Sequence, residues 1–150
     1  MQENNFHLRF RFDQSPMEVY NAINDVQGWW SQDFTGASNN TGDEFAVRFA
    51  DMHYSKHRLT EMLPGRKINW LVTDSRLSFL RDKTEWNGTQ NLFEISEGDG
   101  KTILDFHHIG LQPSLECFGS CSKGWTHYLQ NSLVGFIKEG KGKPNLITTK

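Results

Sequence analysis

Six histidines, two cysteines and a few strand carboxylates are the side chains of this sequence that could do chemistry. His53 and His57, four apart, face alike on any strand that carries them, and so do many pairs of metal ligands. A metal would need further carboxylates or histidines to converge on them. An exposed strand face is the better account of the pair, and no metal is expected. His108 shares a face with Leu104 and Phe106. If that face looks inward, desolvation keeps the imidazole neutral near pH 7, with one donor and one acceptor. Those can serve a ligand or, as in a core histidine, the backbone or a neighbouring helix. Glu61, Glu94 and Asp105 are candidate acids on strands, but no spacing singles them out. Cys117 and Cys121 lie four apart on a helical pattern, where a disulfide would be strained and no second thiol pair completes a zinc site. They read as free thiols acting as small apolar residues.

Familiar catalytic and nucleotide-binding patterns are missing. There is no Gly-x-Ser-x-Gly elbow, His-Glu-x-x-His, Walker loop or dinucleotide fingerprint, so no catalytic set is assigned and no cofactor is expected. With 16 basic and 18 acidic residues the net charge is −2, which draws the chain to neither nucleic acid nor an anionic membrane. Lys138, Lys141, Lys143 and Lys150 read as a solvated helix end. No apolar run approaches the roughly 18 residues of a membrane span, and MQENNFHLRF lacks the features of a signal peptide. The sequons at Asn39 and Asn87 are then chance matches, and a cytoplasmic location is expected.

The elements that must position these residues follow from periodicity. Residues 114–140 are the one stretch long and periodic enough for a major helix. Phe118, Cys121, Trp125, Leu129, Leu133 and Phe136 recur at spacings of three and four, and Gly140, Gly142 and Pro144 form its stop. Before it, Phe6, Leu8, Phe10 and Phe12 alternate with His7, Arg9 and Arg11 as a half-buried strand. Ser15-Pro16 with Glu18 starts a short helix. Of the adjacent Trp29 and Trp30, one belongs in the core and the other at a rim. Residues 31–42 read as a loop. Strands at 43–49, 54–63 and 68–72 form a meander, turned at Pro64-Gly65. Residues 73–88 read as a strand or an irregular lid, and 89–96 and 101–111 as two last strands around Glu97-Gly98-Asp99-Gly100.

This order is α+β: a curved antiparallel sheet wrapped around a long C-terminal helix, with one or two short helices after the first strand. The chain of 150 residues makes a single domain, with about 141–150 a flexible tail. A sheet curved around a helix cannot close everywhere, so a cavity remains. Gly119, Gly124 and Gly135 each cost a helix about 1 kcal/mol, and Gly119 and Gly124 place the opening in its first half. Trp30, Trp70, Phe106, Phe118, Cys121 and Trp125 are the expected ligand-binding wall, with His108 as polar anchor. The 13% aromatic content, with 11 Phe and 5 Trp, suits such a wall or simply a core.

The run FRFDQSPMEVYNAINDVQGWW, residues 10–30, closely resembles the opening of the START-like (SRPBCC) superfamily, whose fold is called helix-grip. Its Ser-Pro-x-x-Val-Tyr-x-Ala-Ile followed by Gly-Trp-Trp looks like the homologues of the activator of the heat-shock-protein-90 ATPase. TEMLPGRKINW, Gly100-Lys101-Thr102 through His108-Ile109-Gly110-Leu111, and Gly124-Trp125 with Leu129 and Leu133 are similar to that family's later elements. Residues 73–88 are longer and more charged than its pattern, and Cys117 and Cys121 have no counterpart there. The resemblance implies a helix-grip fold with a hydrophobic pocket for a small apolar or amphipathic molecule. It leaves open an enzyme of the cyclase, dehydrase or hydrolase kind, using His108 and a carboxylate. It also leaves open a co-chaperone-like module that binds a chaperone, and a homodimer.

Overall fold

The computed structural model describes residues 5–146. Strand β1 (Phe6–Phe12) buries its phenylalanine face, most deeply at Phe12, and keeps His7, Arg9 and Arg11 exposed. Helix α1 (Pro16–Asn24) begins in a reciprocal cap. Ser15 Oγ accepts from the Glu18 amide at 3.1 Å, and Glu18 Oε1 accepts from the Ser15 amide at 3.0 Å. A second short helix, α2 (Val26–Trp29), follows at once. The chain then crosses to the far edge of the sheet and returns as a meander: β2 (Phe34–Gly36), β3 (Glu44–Phe49), β4 (His53–Leu63), β5 (Lys67–Leu77), β6 (Gln90–Gly98) and β7 (Lys101–Ile109). β7 closes against β1, giving a seven-stranded antiparallel sheet in the order β1-β7-β6-β5-β4-β3-β2. The turn between β6 and β7 is made at Asp99 and Gly100, both at positive φ, the geometry of a tight hairpin.

Two bulges in the β4–β5 pair bend this sheet. Register shifts between Lys56 and His57, where Thr73 is left unpaired, and between Leu59 and Glu61, at Thr60. Each bulge swaps which parity points inward. On β5 the buried apolar residues are Ile68, Trp70 and Val72 before the bulge, and Ser75 and Leu77 are buried after it. The bend curls the sheet around the long helix, as the helix-grip reading requires.

That helix is α3 (Phe118–Tyr128), a π turn (Leu129–Leu133) and α4 (Val134–Glu139), ended by Gly140 in the left-handed region. It starts four residues later than Ser114, because 113–117 form turns with Cys117 at the N-cap. Cys121, Trp125, Leu129, Leu133 and Ile137 are its buried stripe. At about 100° per residue, each step of four overruns a full α-helical turn by about 40°, so this stripe would wind off the sheet. The wider π turn brings it back. It also turns Ser132 inward, where its hydroxyl donates to the Trp29 carbonyl at 2.6 Å and accepts from the Lys143 amide at 2.6 Å.

Three further expectations need correcting. Trp29 and Trp30 are both buried, at 0% and 3% exposure, because Trp30 leaves the helix at its C-cap and the rings stack 6.0 Å apart. The loop at 31–42 contains β2, whose Phe34 stacks on Phe45. Residues 141–146 are tied down rather than loose. Asn145 forms a bridge with Ser31, its amide donates to the Trp30 carbonyl, and its side chain reaches Ser31 and Arg48. Lys150 lies outside the described residues.

Candidate functional site

A cleft of about 230 Å³ opens beside α3, the first part of the long helix. Cys121, Gly124, Trp125 and Tyr128 of the helix form one wall; Trp30, Phe49 and His53 form the other. Trp86, from the segment joining β5 to β6, closes the end, and Met52 and Phe79 stand exposed at the mouth. Trp125 is stacked between Trp30, 4.9 Å away at 19°, and Trp86, 5.9 Å away at 5°. Of three larger concavities elsewhere, one of about 320 Å³ lies on β2, β3 and β4, and two are of about 580 and 490 Å³. The latter two are grooves along caps and turns, lined by residues such as Pro64 and Glu97 or Asn21 and Asp25, without the convergent aromatic walls of a ligand site.

Segment 78–88 is held over the cleft by a reciprocal clasp. The Glu116 carboxylate accepts the amides of Arg81 and Asp82, at 2.9 and 3.2 Å. The Glu85 carboxylate accepts those of Glu116 and Cys117, at 2.9 and 3.1 Å. The backbone donors of Arg81 and Asp82 hold the Glu116 carboxyl below its usual range. Cleft geometry also explains Gly124, where an added Cβ would touch nothing within 4 Å. Gly124→Ala should therefore raise unfolding stability by about 1 kcal/mol, read from urea denaturation. Gly135 is compensated differently, by close approach of the Lys141 carbonyl.

Three histidines lie here, His53 in the cleft wall and His57 and His108 behind it. His53 Nε2 and His57 Nε2 both lie 2.8 Å from the Ser55 hydroxyl. His57 and Asn91 are fully buried, and His57 Nδ1 and both polar atoms of the Asn91 carboxamide have no hydrogen-bond partner. His108 is fully used. Its Nδ1 accepts from Trp125 Nε1 at 2.9 Å, so its proton sits on Nε2 and is donated to Thr89 Oγ1 at 2.9 Å. Thr89 in turn donates to the Trp86 carbonyl at 2.6 Å. Burial pushes the imidazoles of His53 and His108 down to about 3 and that of His57 well below its ordinary value. All three are neutral near pH 7.

Of the residues expected at the wall, Trp30, Cys121 and Trp125 line the cleft. Trp70 and Phe106 lie one layer deeper, on Trp30 at 5.7 Å and on Trp125 at 4.5 Å. Phe118 is half-buried against the core, and His108 sits behind Trp125. The exposed-face reading of His53 and His57 was wrong. Tyr54, Lys56 and Arg58 occupy the outer face, where Lys56 and Arg58 pair with Glu44, and this charged alternation was the signal for histidines inside. His53, Phe49, Trp86 and Tyr128 were missed because strands and segments distant in sequence deliver them. Asp105 turns outward to Arg9 and His7, Glu94 to His107 and Glu61 to Lys67. The carboxylate partner imagined for His108 is therefore not in place. Among the described residues no cluster of histidine, cysteine and carboxylate groups could hold a metal. Both cysteines are free, and the Cys121 thiol is pushed up by its contact with Cys117 and by burial, so it is no nucleophile.

The curled sheet, gripped helix and cleft define a protein of the helix-grip class. Solved structures are similar across the chain. The solution structure of the Aha1 dimer from Colwellia psychrerythraea is 21% identical, covers 92% of this chain and 98% of its own, and has a TM-score of 0.73. CalU16 from Micromonospora echinospora is 20% identical over 89% of this chain and 76% of its own, with a TM-score of 0.62. DynU16, a putative protein in the dynemicin biosynthetic locus, is 15% identical over 97% of this chain, with a TM-score of 0.68; this chain spans 52% of its length. No protein-family model matches the sequence, and no curated protein matches it. The likeness is one of fold, the helix-grip architecture that the sequence resemblance implied. No described helix is long and apolar enough to cross a membrane.

Proposed function

We propose that the protein binds a small, largely apolar aromatic molecule in the cleft between α3 and the sheet. The observation that carries this reading is the gap at Gly124, a helix position with no neighbour, facing Trp30, His53 and Trp86 across an aromatic-walled space. The volume lies just under the usual 300–1,000 Å³ of ligand sites, which favours a one- or two-ring ligand. Binding is preferred to turnover because His108 is committed to Trp125 and Thr89, and no carboxylate accompanies it. The likeness to the Aha1 dimer supports a homodimer.

A thermal-shift titration with indene tests the reading. At 100 times its dissociation constant a ligand adds about 2.7 kcal/mol, or roughly 5–10 °C for a domain of this size. Gly124→Leu, which fills the gap, should fold normally and lose the shift. An equal shift in both proteins would put the ligand elsewhere, and no shift in either would remove the reading.

A further inference from the structure

From the hydrogen-bond chain His53–Ser55–His57 we infer that the cleft selects neutral two-ring aromatics carrying a single polar group, and that it accepts a donor or an acceptor in that group. The inference rests on the cleft being the binding site. His53 borders the cleft, and its ring is fixed edge-on by Trp86 at 4.8 Å and Phe49 at 4.9 Å. Its Nε2 is engaged by Ser55, and its Nδ1 has no partner among the described residues, which leaves Nδ1 for the ligand.

Proton counting sets what Nδ1 can offer. The Ser55 hydroxyl has one proton and stands between two imidazole nitrogens, so it donates to one and accepts from the other. In one arrangement His53 Nε2–H donates to Ser55, Ser55 donates to His57 Nε2, and the His57 proton is on Nδ1. His53 Nδ1 is then a bare lone pair that accepts from a ligand N–H or O–H. In the other, His57 Nε2–H donates to Ser55 and Ser55 donates to His53 Nε2. His53 Nδ1 then carries a proton for a ligand carbonyl. Both arrangements are neutral; the second satisfies every donor along the chain, and the first points the His57 Nδ1 proton toward Asn91. Asn91 lies beside His57 with its oxygen and amide nitrogen both unpartnered, so a small rotation of its carboxamide would supply an acceptor for the first arrangement or a donor for the second. No lysine or arginine lines the cleft, so an anionic ligand has no cation to meet.

Three isosteric probes test this: indene as the apolar reference, indole as a neutral donor and 1-indanone as an acceptor. Dissociation constants for indole and 1-indanone should agree within a few-fold in the native protein. In His57→Leu the chain keeps one satisfied arrangement, Ser55 donating to His53, because the reverse would leave the buried hydroxyl proton unpartnered. Such an orphan costs about 1–3 kcal/mol, so the ratio of affinities should move about tenfold against indole. Nitrogen-15 spectra of the imidazoles in the native protein give a reading that needs no variant. His53 Nδ1 should be unprotonated in the indole complex and protonated in the 1-indanone complex. A fixed His53 tautomer in both complexes, or an unchanged ratio in His57→Leu, would overturn the inference while leaving the cleft intact. If indene also fails to bind, the cleft reading falls and this inference with it.

Discussion

Chemical denaturation at pH 7, 6 and 5 should show stability falling steeply once the pH drops below about 6.5. His53 and His108 have imidazole pKa values of about 3 in the folded protein against 6.5 when exposed, and His57 is displaced in the same direction. Burial is the leading cause in each case, with the mutual repulsion the three rings would feel if charged adding at His57 and His108. Above pH 6.5 the groups are neutral in both states and do not affect the balance. Below it the unfolded chain takes up protons that the folded one refuses, so the unfolded state is favoured progressively until the folded pKa is reached. One such group costs about 1.4 kcal/mol per pH unit, and three together about 4 kcal/mol per unit. By this slope about 6 kcal/mol is lost by pH 5 and about 10 kcal/mol by pH 4, so a protein in the lower half of the usual range of about 5–15 kcal/mol should unfold between them. Exposed carboxylates held below their usual range, such as Glu44 and Glu116, act only at lower pH. The number of protons taken up on unfolding at pH 5.5 should approach three, and His57→Leu should reduce it by about one. Stability that stays level from pH 7 to 4.5 would mean that these imidazoles are not buried.

Trp125→Ala should cost about 3–5 kcal/mol, the range for deleting a large buried ring. Trp125 is 2% exposed and touches Trp30, Phe106 and Trp86, so its removal joins the cleft to the core layer behind it. It also strands His108 Nδ1, which loses its donor. Trp125→Phe separates the two contributions. It keeps most of the ring packing and loses the hydrogen bond, and should cost about 1–3 kcal/mol. Urea denaturation of the three proteins gives both values. A loss below about 1 kcal/mol for Trp125→Ala would show that the stacked tryptophans are a loose lining rather than part of the core. In the alanine variant the enlarged cleft should also admit three-ring aromatics that the native protein excludes.

Much of this architecture was legible from local pattern. The alternation of β1, the cap at Ser15 and Glu18, and the apolar stripe from Cys121 to Leu133 each follow from contacts within a few residues, which a sequence displays directly. The stripe ends, however, at Ile137 and not at Phe136. Even the opening near Gly124 was written locally, since a glycine inside a helix demands a reason. The spacing of four along the stripe held the π turn too, although only packing against the sheet turned that spacing into a wider helical turn. Composition likewise marked an aromatic-walled interior without saying which rings reach the surface of the cleft.

Tertiary structure alone decided how the site is furnished. Whether His53 and His57 point in or out depends on which face of β4 meets the helix, and on β5 the bulge at Thr73 changes which parity faces inward. Which way the face of His108 looks was likewise left open, and only the positions of Trp125 on the helix and Thr89 before β6 determine that both its nitrogens are occupied. Trp86 reaches the cleft because Glu85 and Glu116 clasp two segments some thirty residues apart. Hydrogen bonds and ring stacks of this kind join residues remote along the chain. A sequence states the residue types, and only the folded geometry states which of them meet.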